Sequence, residues 1–282
     1  KDILANESRQ RAIIKEELAG LKEQYGDERR TDITFADGEI NIEDMIPNEE
    51  VVVTISQLGY IKRTKAVEYK TQGRGGRGSR GGKTRDADFL EHIFVARNHN
   101  YLLFFTERGR CFWLRVFEIP EGSKTGTGRV VQNIIQIPKD DRIRAYILVE
   151  DLTDEDYINS HYIVFATKNA VVKKTLLEAY SRPRVNGINA INIREDDQLI
   201  EAKLTDGTAN IMMANKMGRA IRFSESKLRE MGRTAAGVRG MRIDLEAGDE
   251  IVGMVIDKPG DDDKTIMVIS ENGYGKRSEI DE

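Results

Sequence analysis

The chain has 282 residues, 39% hydrophobic and 33% charged, with no apolar run of about 18 residues and no hydrophobic signal core, which predicts a soluble, cytoplasmic, globular protein without a membrane partner. The single cysteine, Cys111, excludes an internal disulfide and a thiolate metal cage, and the three histidines, His92, His99 and His161, are too scattered for ligand spacing. The net charge of −4 argues at first against nucleic acid, but acids gather in runs such as DLTDED (151 to 156) and DKPGDDDK (257 to 264), which leaves other stretches strongly basic.

Residues 1 to 26 read as a helix, with Ile14, Leu18, Leu21 and Tyr25 forming one apolar stripe among Lys, Arg and Glu, and with Gly26 as its stop. Such a helix is roughly 35 Å long, and its stripe needs a partner surface. Two partners are open at this point: the helix's own domain, or a coiled coil cut from a longer chain, which the missing starting methionine favours. Residues 27 to 48 read as a linker and first strands.

From residue 49 the character is all-β, and one pattern recurs five times. The copies are VVVTISQLGYIKRT (51 to 64), YLLFFTERGRCFWL (101 to 114), YIVFATKNAVVKKT (162 to 175), NIMMANKMGRAIRF (210 to 223) and TIMVISENGYGKRS (265 to 278). In each, an apolar strand meets a tight turn at Gly59, Gly109, Ala170, Gly218 or Gly273, and a second strand leaves it carrying basic residues. At Ala170 the preceding Asn169 is expected to take the left-handed conformation. Nineteen residues past the turn stands a second glycine (Gly78, Gly128, Gly237), seventeen past it in the third copy (Gly187). A strand is expected after it, in RVVQNIIQI, INAINI and VRGMRI, followed by an acidic corner and another apolar run. Four strands per repeat of about 50 residues predict propeller-like blades stacked on one another, with the fifth incomplete. Phe104, Phe105, Phe112 and Trp113 share one apolar run and are expected in the core.

The stretch QGRGGRGSRGGK (72 to 83) falls where SKTGTGR (123 to 129) and GRTAAGV (232 to 238) fall later, so it is a blade element and not a disordered tail. It holds no G-x-x-x-x-G-K-[ST] phosphate loop. Its residues Gln72, Gly73, Arg74, Gly75, Gly76, Arg77 and Gly78 resemble the box motif of the C-terminal domain of bacterial gyrase A, the DNA gyrase polypeptide whose usual box is Gln, a variable or basic residue, Arg-Gly-Gly, a basic residue, Gly. Gly73 stands where many relatives carry Arg or Lys. EQYGDERRTDI (23 to 33) resembles the junction of the gyrase A coiled coil with this domain, and ENGYGKRSEI (271 to 280) resembles a later blade.

The resemblance implies a β-pinwheel of usually six blades, with strands exchanged between them and duplex DNA wrapped around the rim. It implies a box that joins the first blade to the last and is required for negative supercoiling. It also implies a non-catalytic part of an ATP-dependent type II topoisomerase, an isomerase. The rest of gyrase A and the whole of gyrase B would be its partners, it would be bacterial and nucleoid-associated, and ATP and Mg2+ would bind elsewhere, with no cofactor here. None of the nine tyrosines is assigned the strand-cleaving role. The related topoisomerase IV domain usually has a degraded box, and a protein-binding propeller is the other alternative.

The residues themselves give a parallel expectation. The second strands carry Lys62 and Arg63, Arg110 and Arg115, Lys173 and Lys174, Arg219 and Arg222, Lys276 and Arg277, and Arg80 and Lys83 extend the charge of the box. Repeated in stacked blades, these cations predict a track suited to phosphates and blind to bases.

Overall fold

The computed structural model describes residues 3, 6–27, 31, 42–69, 74, 88–138, 140–260 and 264–280. It divides into two compact units, Lys1–Asp44 and Met45–Glu282. In the first, helix α1 (Glu7–Tyr25) stops at Gly26, whose N–H donates to the Lys22 carbonyl. A Cβ at Gly26 would lie 2.3 Å from that oxygen, so the helix end needs glycine. The stripe of Ile14, Leu18, Leu21 and Tyr25 is exposed.

The second unit is built of antiparallel strands in tandem repeats. The first holds β1 (Glu50–Ser56), β2 (Tyr60–Lys65) and β3 (Leu90–Arg97); the second β4 (Tyr101–Thr106), β5 (Arg110–Arg115), β6 (Arg129–Val130) and β7 (Ile143–Val149). A short helix, α2 (Glu155–Ser160), precedes the third, which holds β8 (Tyr162–Thr167), β9 (Val171–Leu176), β10 (Ile188–Asn189) and β11 (Leu199–Thr205). The fourth contains β12 (Asn210–Asn215), β13 (Ala220–Ser224), β14 (Val238–Arg239) and β15 (Ile251–Asp257), and the last a hairpin of β16 (Thr265–Ile269) and β17 (Gly275–Glu279).

The sheets do not coincide with the repeats. Their orders are β3-β1-β2-β6, β10-β5-β4-β7, β11-β8-β9-β14, β13-β12-β15 and β16-β17. The second, third and fourth repeats each keep three strands and lend the short one to the repeat before: β6 pairs with β2, β10 with β5 and β14 with β9. This corrects the expectation of full strands after the second glycine. Only two residues of each run join a ladder, because the apolar residues that follow, Val131, Ile135, Ala190, Ile191 and Met241, turn into the clusters between sheets and not along a strand.

Among the described residues three such clusters form the core, one between each pair of successive sheets from the first to the fourth. Leu102, Phe104 and Phe112 pack towards Val53, Ile55 and Ile61. Their neighbours Leu103, Phe105 and Trp113 point the other way, towards Ile163, Phe165 and Tyr180. A strand sandwiched on both faces reads as a continuous apolar run, which is why YLLFF shows no alternation. Beyond the third sheet, Val164 and Val172 meet Ile211 and Met213.

The hairpin turns carry positive φ at Gly59, Gly109, Gly218 and Gly273, and at Ala170 with φ 63°. Ala170, not Asn169, is thus the left-handed residue of the third turn. Asn169 is held otherwise, its N–H donating to Asp197 and its side-chain amide to the Asp196 carbonyl. The second glycines, Gly128, Gly187 and Gly237, are also left-handed. They sit where a donated strand lands on its neighbour: a Cβ at Gly237 would lie 2.5 Å from the Val172 carbonyl oxygen. Gly237→Ala is therefore expected to cost at least about 1–2 kcal/mol from the left-handed backbone alone, and more from the clash, in urea unfolding. Gly232→Ala in the same loop, with open space around it, should change the midpoint little.

Candidate nucleic-acid interface

The acidic corners have a structural role that the sequence left without one. In four repeats one aspartate uses Oδ1 to accept two backbone N–H groups, one from the hairpin turn and one from the residue after itself. Asp88 takes Leu58 and Phe89, Asp141 takes Arg108 and Arg142, Asp197 takes Asn169 and Gln198, and Asp249 takes Met217 and Glu250. Asp141, Asp197 and Asp249 are buried. These carboxylates fasten the turn to the outer strand of the blade.

Of the box, only Arg74 falls among the described residues, and it is exposed. Gln72, Gly73, Gly75, Gly76, Arg77, Gly78, Arg80 and Lys83 lie outside them. The second-strand cations divide into two groups. Arg219, Arg222, Lys276 and Arg277 are exposed, with Arg222 ion-paired to Asp257.

The others are buried or half-buried. Lys62 is buried and its Nζ donates to the carbonyls of Ser123 and Lys124, at 2.9 and 2.8 Å. Lys173, also buried, donates to the carbonyls of Ala190 and Arg233, at 2.6 and 2.7 Å. Lys174 pairs at 3.0 Å with Glu225, both of them buried. Arg63 donates to the Ile119 carbonyl and pairs with Glu121. Arg110 reaches the carbonyls of Asn186 and Gly187, and Arg115 that of His99 while it covers the Tyr101 ring. This is a correction to the sequence expectation: Lys62, Lys173 and Lys174 cannot meet a phosphate. A basic residue on a strand reads as outward, but here the crossing segment from the next repeat covers that face, and the repeat's own sequence does not show the cover.

The crossing segments carry cations of their own. Lys124 and Arg129 lie on the first, Arg182, Arg184 and Arg194 on the second, and Arg233, Arg239 and Arg242 on the third. All eight are exposed or half-exposed. In every case the segment lies beside the second strand of the receiving sheet, at the same edge of successive sheets. The second glycine with basic residues around it was the signal available for them.

Burial pulls the Lys173 ammonium from an ordinary 10.5 down to about 7, and the charge of Arg233 adds to the effect. Between about pH 7 and 10.5 the unfolded chain holds a proton there that the folded chain lacks, so this group's contribution to stability rises with pH across that window. The difference in urea midpoint between the parent and Lys173→Met should therefore shift in the parent's favour from pH 7 to pH 9. A difference that stays flat with pH contradicts this account of Lys173.

The sequence matches the family described as DNA gyrase C-terminal domain, beta-propeller, over residues 50–97, 100–150, 161–206, 209–256 and 264–282, one segment per repeat. The chain belongs to this family. The gyrase A polypeptide of Staphylococcus epidermidis is 43% identical over 284 residues, which cover 100% of this chain and 31% of that protein. Gyrase A of Haemophilus influenzae is 38% identical over 306 residues, covering 99% of this chain and 34% of that one. The chain thus spans about a third of the length of these gyrase A relatives. Among solved structures, the C-terminal domain of DNA topoisomerase IV aligns with a TM-score of 0.67 at 29% identity, covering 84% of this chain and 69% of that one. A DNA gyrase A C-terminal domain aligns at 0.62 and 23% identity, over 83% and 72% of the two chains, a likeness of fold. The beta-propeller of this family accounts for the tandem blades.

Proposed function

We propose that this gyrase C-terminal domain binds duplex DNA without regard to sequence, wraps it along the edge where the crossing segments lie, and so gives the whole enzyme its negative-supercoiling activity. The observation that carries the reading is the recurrence of outward cations on the donated segments at one edge of successive sheets. Segments 121–130, 181–194 and 230–242 contain no aromatic residue, so they offer phosphate donors and no stacking platform, which favours duplex over single strands. In this reading the domain is a non-catalytic part of a bacterial type II topoisomerase acting at the nucleoid. Its partners are the remainder of gyrase A and the gyrase B polypeptide, and the ATP and Mg2+ of the whole enzyme are held outside it.

The similarity to the topoisomerase IV domain supports a second reading, in which DNA is bent less; the intact QGRGGRG box (72 to 78) favours the first. Affinity measured against duplexes of increasing length separates them. A wrap predicts affinity that keeps rising well beyond the length of one blade's contact, and Arg74→Ala with Arg77→Ala is expected to reduce that rise. Affinity that stops growing at a short duplex would overturn the wrap.

A further inference from the structure

In three successive sheets a second-strand cation grips backbone carbonyls of the segment arriving from the next repeat. Lys62 holds Ser123 and Lys124, Arg110 holds Asn186 and Gly187, and Lys173 holds Arg233. Lys62 and Lys173 occupy the same place, three residues after their turns. At the equivalent place in the second repeat stands Phe112, with Gly187 seated so close that a Cβ there would lie 2.6 Å from the ring. The ring takes the lysine's place there, and Arg110 reaches the carbonyls instead.

We infer that Lys62, Arg110 and Lys173 are positioning residues of the DNA interface, each fastening the neighbouring repeat's crossing segment so that its cations stand ready for phosphates. The inference rests on the duplex-binding reading above. The gripped segments contain glycines and lie at the surface, where a free backbone samples many conformations. A cation on such a segment loses affinity to the ordering that binding requires, and a segment ordered beforehand does not. The Arg110 guanidinium stays charged, and its hydrogen bonds to carbonyls are stronger than neutral ones, while the Lys173 amine keeps N–H donors whether or not it holds its extra proton. Burial keeps Lys62 and Lys173 from the DNA themselves.

The half-buried Arg110 allows a test in a folded protein. Duplex affinity is measured for Arg110→Gln, for Arg182→Ala with Arg184→Ala, and for all three changes together. Arg110→Gln is expected to weaken binding about tenfold alone and less than about twofold once the loop arginines are gone. Arg110→Lys, which keeps a donor, should recover part of the loss. Amide exchange at residues 182–187 should quicken in Arg110→Gln while that of β4 stays protected. Additive losses, or unchanged exchange at 182–187, would overturn the inference. Failure of the parent domain to bind duplex at all would overturn the proposed function instead, and the exchange measurement would still decide the anchoring.

Discussion

Duplex DNA is expected to leave this domain steeply as salt rises, with affinity falling by about 10³ or more between 50 and 200 mM. The crossing segments present eight exposed or half-exposed cations: Lys124, Arg129, Arg182, Arg184, Arg194, Arg233, Arg239 and Arg242. If about seven of them neutralise phosphates, log K falls against log salt with a slope of about −6. Affinity of that size is needed, since bending a 20–30 bp site by 40–90° costs roughly 1–6 kcal/mol. Arg219, Arg277 and the box would steepen the slope. A titration giving a slope near −2 would mean that only a couple of phosphates are touched and that no wrap forms.

Glu225→Ala is expected to destabilise the fold by about 3–5 kcal/mol in urea unfolding. Glu225 is fully buried, and its carboxylate accepts from the Ala209 N–H at 2.7 Å and the Thr205 hydroxyl at 2.8 Å while it pairs with Lys174 at 3.0 Å. Truncation strands the buried ammonium of Lys174 and two further donors. Glu225→Gln keeps acceptor capacity without the charge and should fall between the parent and Ala. Replacing both partners, Lys174→Met with Glu225→Leu, should cost less than Glu225→Ala, because no lone charge remains. A loss below about 1 kcal/mol for Glu225→Ala would show that water reaches the pair.

The repeats were legible because their turns need left-handed backbone, and Gly59, Gly109, Gly218 and Gly273 mark that need at a readable interval. The core was legible too: Phe104, Phe105, Phe112 and Trp113 are all buried. What the sequence hid is non-local. Ala170 shows that tertiary packing can hold a Cβ in the left-handed turn, here with the residue fully buried. The lent strands β6, β10 and β14 are two residues each, too short to carry a period, and their partners lie in another repeat. Because that lending covers the second strand, Lys62 and Lys173 read as rim cations from their own repeats and are inner fasteners in the fold. The box carries basic residues around its second glycine, and the same loop in later repeats was the place where outward cations could have been read.

The most direct test of a positively charged edge that bends DNA is to relax closed circular DNA in the presence of saturating domain at low salt, remove the protein, and read the linking number. Wrapping predicts a positive shift that grows with the amount of domain bound and disappears at high salt. A linking number unchanged at saturation, with binding shown in the same tube, would contradict the account.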